Sequence, residues 1–201
     1  MTGQPTSAWI FVALCATVGV CRLLEMALSR RHQRALAGRG AAPIPEPVFG
    51  AMVALHTGIL LSAALEVLLL RRPLVVALAV PALVLFVLAN VLRFWVIATL
   101  GVHWNVRVVR STQPLGVVTS GPYRYVRHPN YVAVFVELAA LPLIHGAYVT
   151  AAIGSLLHLL ILRRRVALEE SVLFADEAYG RAFGAKPRFI PRLVRAPWPM
   201  S

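Results

Sequence analysis

The sequence predicts an all-α integral membrane protein of about five transmembrane helices, with a short helical hairpin and a cytoplasmic C-terminal helix. Three observations predict it. Of the 201 residues, 59% are apolar and 14% charged, with a mean hydropathy of +0.73, whereas an ordinary soluble domain is about half apolar and about a quarter charged. The apolar residues gather into runs near the roughly 20 residues that cross a hydrocarbon core. The basic residues, 20 against 8 acidic with a net charge of +12, fall in alternate connecting segments. A soluble globule of this length has too little interior for so much apolar side chain, and the same composition argues against disorder.

Trp9 to Leu28 reads as the first span, with Arg22 and Glu25 three apart near its far end as a local pair. The start, MTGQPTSAW, has no basic n-region and the run no small-residue cleavage site, so a retained span is expected rather than a signal peptide. Cys15 and Cys21 lie on different helical faces and read as packing residues, neither a disulfide nor a metal pair; no metal site is expected. GRGAAPIPEP, Gly38 to Pro47, is a semi-rigid polar linker. Phe49 to Leu70 is the second span, carrying His56 and Glu66, and Leu74 to about Leu100 the third, with Arg93 as an anchor near its cytoplasmic edge. Tyr131 to Leu162 is too long for one span and too short for two full ones. Pro142, His145 and Gly146 interrupt it, which predicts a tight hairpin of two short or tilted helices. Glu169 to Phe183, charged on one side and apolar on the other, predicts a helix lying on the cytoplasmic face. The chain is a single membrane domain, 1–201, with three spans in 1–100 and the functional half in 101–201.

With five spans, alternate connections hold sixteen basic residues on one side and two on the other, Arg22 and Arg93 lying inside spans. The positive-inside rule then places the N-terminus outside and the C-terminus in the cytoplasm. Topology accounts for the charge excess, and no nucleic-acid partner is needed to explain it.

Two long cytoplasmic segments concentrate the unusual residues. The first contains TSGPYRYVRHPNY, Thr119 to Tyr131, which combines a Gly-Pro turn, three tyrosines, two arginines and His128, the last directly before a proline that opens a helix. A helix N-terminus begun by proline is ready to receive an anion, aromatic rings can stack on a planar base, and a histidine titrates near neutrality. The second contains RRRVALEE, Arg163 to Glu170, in which Arg165 and Glu169 share a helix face. Adjacent carboxylates at a membrane edge are not required for anchoring.

The order GPYRYVRHPNY, a short hairpin, an Arg-rich helix ending in EE, and RFIP (Arg188 to Pro191) resembles the isoprenylcysteine carboxyl methyltransferase family of membrane enzymes, over about Arg93 to Pro191. The resemblance implies an S-adenosylmethionine-dependent methyltransferase with its cofactor on the cytoplasmic side. Carried over, it places Leu115, Gly116, Val117 and Val118 along the cofactor, followed by Tyr123 and then His128, Pro129, Asn130 and Tyr131. The family's substrate-contacting arginine and glutamate fall on Arg165 and Glu169. Two positions depart from the pattern: Ala133 stands where a glycine is common, and an upstream cofactor-contacting glutamine has no counterpart near Val108. The implied partners are a lipophilic small-molecule or prenylated substrate and membrane lipid, in a bacterial inner membrane.

In the mechanism so implied, Arg165 holds an acidic substrate through its fork of donors, and Glu169 positions the substrate or takes the proton of a phenol or enol. Spans two to four form the lateral route of a lipid-tailed acceptor; His56 and Glu66 inside them read first as satisfied packing or snorkelling residues and second as lining of that route. Three rival readings differ in class. A phospholipid N-methyltransferase shares the cofactor, but an arginine beside the acceptor repels a protonated amine. An NADPH-dependent sterol-type reductase is usually larger, and no G-x-G-x-x-G is present. A non-catalytic membrane protein leaves the loaded cytoplasmic segments unexplained.

Overall fold

The structure, a computed structural model, describes residues 5–191. It is mostly helical, as composition demands. α1 (Thr6–Ala37), α2 (Phe49–Leu69) and α3 (Val76–Leu100) are followed by α4 (Pro129–Leu143), α5 (Tyr148–Leu173) and α6 (Glu177–Phe183). By length and composition, three of the described helices can cross a membrane: Thr6–Ala37, Phe49–Leu69 and Val76–His103, the last including a short 3₁₀ turn. Their outward side chains are apolar, with Leu23, Leu65, Leu69 and Leu88 all more than half exposed. Water would not tolerate that face; lipid does. α4 is apolar but only 15 residues long.

α4 sits at the centre, packed chiefly against α3 and α5, while α5 also packs on α2, and α2 on α1. Gly154 of α5 brings the backbone against α2 so closely that an added Cβ would lie 2.8 Å from Ile59 Cγ1. The turn between α4 and α5, 144–147, carries Gly146 at φ +71°, a conformation that favours glycine. His145 in that turn is buried and hydrogen-bonded to Ser7 Oγ at 3.1 Å, tying the hairpin to the start of α1.

Four expectations are corrected. The linker after α1 is not merely a spacer: Ala41–Pro43 (β1) pairs antiparallel with Val109–Ser111 (β2), placing the two long connections side by side. Pro43, which has no N–H to donate, is tolerated in so short a two-stranded ribbon. The tail helix expected over Glu169 to Phe183 is broken. α5 continues to Leu173, and Asp176 then accepts a 2.8 Å hydrogen bond from Ala178 N and caps a separate α6. Arg93 is not an anchor, nor are Arg22 and Glu25 only a local pair. Arg22 bonds both Glu25 (2.6 Å) and Glu137 of α4, and Arg93 Nε reaches Glu25 Oε1 at 2.6 Å. Two arginines and two glutamates thus cancel inside the bundle. Glu66 takes the satisfied packing role that the sequence reading favours: it accepts from the Val149 and Thr150 amides (3.2 and 2.8 Å), capping the first turn of α5, and pairs with Arg72 at 3.0 Å.

Candidate active site

The C-terminal ends of α1 and α3, the β-ribbon, the N-terminal end of α4, the C-terminal part of α5 and α6 converge at one end of the bundle. Between them opens a cavity of about 540 Å³, within the roughly 300–1,000 Å³ of small-molecule sites. Its ribbon-side wall is the extended stretch that includes Leu115, Gly116, Val117 and Val118. Gly116 has φ +82°, a turn conformation that a side chain would strain. Tyr123, His128, Asn130 and Tyr131 supply the next wall, and Arg165 and Glu169 face them from α5. Pro129, the last of the residues singled out from the sequence, is buried at the first position of α4 and is not on the cavity wall.

The sequence segments are locked to one another. The Arg127 and His128 amides donate to Pro187 O and Arg188 O, each at 2.9 Å, so RFIP lies along the RHP segment. Glu170 binds both. It takes His128 Nε2 at 3.0 Å and Arg188 Nη2 at 2.6 Å, with Arg127 Nη1 at 3.4 Å. Burial alone would raise the Glu170 carboxyl; the hydrogen bonds from Arg188 and His128 and the Arg127 charge outweigh it and hold the group below the usual carboxylate range. Burial, and then the charge of Glu169, push the Tyr123 phenol well up, so that ring stays neutral.

Tyr131 joins the two α5 residues. Its hydroxyl donates to Glu169 Oε2 and accepts from Arg165 Nε at 3.0 Å. Among the described residues, the carboxylate paired with Arg165 is Glu46 rather than Glu169. Arg165 Nη2 also donates to Val106 O at 2.5 Å, and Glu46 Oε1 accepts from Val108 N at 2.6 Å. Arg163 and Arg164 point outward, as residues at a membrane edge do. Beneath Tyr131 and Arg165 lies a second cavity of about 60 Å³, reaching between α2, α4 and α5 to His56 and His158. The two cavities share Trp104, Asn130, Tyr131 and Arg165 as walls.

Sequence reasoning missed Glu46, Trp104, Glu137 and His158. Glu46 had a signal: it is the one carboxylate between Glu25 and Glu66, held between two prolines in a segment otherwise basic or apolar. The others had none, because each acquires its role from a residue far away in the chain.

The described residues thus form an apolar helical bundle with a cavity at one end, walled by an Arg–Tyr–Glu cluster. Residues 82–175 match the isoprenylcysteine carboxyl methyltransferase family. A protein of Bacillus subtilis (strain 168), the uncharacterized protein YpbQ, is 30% identical over 166 residues, covering 82% of this chain and 95% of the relative. An uncharacterized protein of Haemophilus influenzae is 29% identical over 163 residues, covering 79% and 91%. The chain belongs to the isoprenylcysteine carboxyl methyltransferase family, and that membership implies methyl transfer in a membrane.

Proposed function

We propose that this protein is a five-span S-adenosylmethionine-dependent O-methyltransferase, acting on the carboxylate, phenol or enol of a lipophilic substrate. Its N-terminus lies outside a bacterial inner membrane; its C-terminus and large cavity lie in the cytoplasm. For α5 as a span, the argument is its outward face, where Ile153, Leu156 and Leu160 are each more than half exposed. For the orientation, it is that Arg107, Arg110, Arg127 and Arg165, all of the larger basic set, line the large cavity. The ion pair of Glu46 with Arg165 ties residues 1–100 to 101–201, in keeping with one domain.

The observation that carries the reading is the Tyr131–Arg165–Glu169 cluster on the wall of the large cavity, with Tyr131 and Arg165 also bordering the small one. The large cavity suits S-adenosylmethionine in its chemistry. Asn130 Oδ1 and Trp104 Nε1 are buried on its wall with no hydrogen-bond partner among the described residues, an acceptor and a donor for the ammonium and carboxylate of an amino acid. Leu115, Val117, Val118 and Val172 offer apolar surface to a base. When bound, the cofactor supplies an electrophilic methyl group on a charged sulfur. The chain's own residues orient the acceptor and keep water out, which favours a reaction that neutralises charge. Arg165 places a positive fork beside the acceptor, which favours an oxygen nucleophile over a protonated amine.

Calorimetric titration of S-adenosylhomocysteine into detergent-solubilised protein tests this. Micromolar binding, lost when His128 and Tyr131 are both replaced by alanine, is the expected result; folded wild-type protein that binds none overturns it.

A further inference from the structure

The small cavity contains more polar chemistry than packing requires. His56 Nε2 and His158 Nδ1 lie 3.2 Å apart, so the two imidazoles share one hydrogen. The His158 ring is 2% exposed and lines the cavity, and its Nε2 has no partner among the described residues. His56 is only half-buried. Around them the lining is apolar (Met52, Val134, Ile161), and two cations, Arg93 and Arg165, face the same space. A buried polar atom with no partner needs a ligand group or a water, and this space exceeds the roughly 10–15 Å³ that a water needs. It is too small for a lipid-tailed molecule. It accommodates a few atoms of one, the oxygen-bearing head.

We propose that this cavity receives the head of a hydroxyl acceptor, a phenol or an enol, and that the His56–His158 pair takes its proton. The inference rests on the methyltransferase reading and adds to it a substrate class and a base. With the shared hydrogen on His158 Nδ1, Nε2 of the same ring presents a bare lone pair to the cavity. The acceptor's O–H bond breaks, its proton goes to His158 Nε2, and the electron pair stays on oxygen, which becomes the nucleophile. The hydrogen on Nδ1 then moves to His56 Nε2, so the positive charge leaves the buried ring for the half-buried one. Arg165, on the cavity wall, stabilises the oxyanion meanwhile. When product leaves, the hydrogen returns from His56 to His158 Nδ1 and the proton on Nε2 departs through the emptied cavity, so that the net reaction releases one proton and the pair is restored. A carboxylic acid, ionised already at neutral pH, needs no such base.

The test uses the full chain in detergent with 4-dodecylphenol and dodecanoic acid as methyl acceptors. His158→Phe removes the base, and His158→Asn keeps a polar group of similar reach without one. Thermal melting and S-adenosylhomocysteine binding establish that each variant is folded with its large cavity intact. Because general-base catalysis typically contributes 10²–10⁴-fold, the expected result is a fall of about 100-fold in the ratio of phenol to acid turnover. That fall lies in kcat rather than KM and is not rescued by asparagine. A purely structural role for His158 would lower both acceptors together. Equal losses, or an unchanged ratio, overturn the proposal, as does wild-type protein that binds S-adenosylhomocysteine but never methylates the phenol. Absence of S-adenosylhomocysteine binding instead sinks the methyltransferase reading beneath it.

Discussion

Among the described residues, two buried clusters of arginine and glutamate join helices, and they differ in what surrounds their unused hydrogen-bonding atoms. In the first, Arg22, Glu25, Arg93 and Glu137 tie α1, α3 and α4 together. Its leftover atoms, Arg93 Nη1 and Glu137 Oε2, face each other at 4.0 Å. In the second, Glu46, Arg165, Tyr131 and Glu169 join the linker, α4 and α5, and Tyr131 and Arg165 border both cavities. The first is nearly closed on itself, with Arg93 as the member that reaches the small cavity, and reads as structure; the second borders both cavities and reads as a site. Buried charge alone does not separate the two. What separates them is whether the remaining valences face protein or a cavity.

The sharpest way to break this comparison is to remove one charge from the closed cluster. Glu137 is 1% exposed and faces both arginines. Glu137→Ala leaves two cations buried with one carboxylate, and breaking a buried pair from one side costs about 3–5 kcal/mol. The expected outcome is a large fall in the denaturation midpoint in detergent. Replacing Arg22 and Glu137 together by leucine removes both ends of the pair and is expected to restore most of that loss. A Glu137→Ala protein as stable as wild type would show the cluster to be solvated, and the contrast between the two regions would collapse.

The second cluster is expected to fail differently. Glu46→Gln keeps the shape and an acceptor for Val108 N, but takes the negative charge from beside Arg165. Arg165 retains Tyr131 and Val106 O, and the adjoining cavities can hold water, so the folding cost is smaller than for Glu137→Ala. Misplacing a substrate-positioning group by about 1 Å costs up to about 100-fold in rate. Turnover of 4-dodecylphenol is therefore expected to drop by roughly 10- to 100-fold with the midpoint little changed. Unfolding as severe as that of Glu137→Ala, or unchanged turnover, would erase the distinction.

Glu46 also marks where the sequence stops being legible. The apolar runs place α1 to α3 within a few residues at most ends, because a span is a local property of composition. The RHP-N-Y and EE segments, read through family resemblance, name residues the fold gathers around one cavity. Pairings across the chain were not readable. Glu46 meets Arg165 across 119 positions, Arg22 meets Glu137 across 115, and His56 meets His158 across 102. Nothing in the local pattern at either end of such a pair specifies the other, since tertiary packing sets it. The β-ribbon escaped for the same reason: Ala41–Pro43 has no strand signal of its own and forms only because Val109–Ser111 lies beside it.

Glu170 completes the comparison from the water-facing edge, where the smallest effect is expected. It clasps RFIP to RHP through Arg188, His128 and Arg127, but Arg188 is largely exposed, so solvent screens much of the attraction. The folded carboxyl titrates below its ordinary value of 4.5. A carboxyl lowered on folding stabilises the folded state above its unfolded value, and that contribution is lost as pH falls through the folded one. Between neutral pH and about 4.5 the clasp is therefore expected to hold, and to loosen progressively in stronger acid. The Arg127 and His128 amides, which donate to Pro187 and Arg188, report it directly. Their hydrogen exchange, corrected for the intrinsic pH dependence, is expected to rise in acid while the amides of α4 and α5 stay protected. Arg188→Ala is expected to produce the same loosening at neutral pH. If acid instead opened α4 along with the clasp, the Glu170 edge would belong to the closed core, and its carboxylate would be as deeply structural as Glu137.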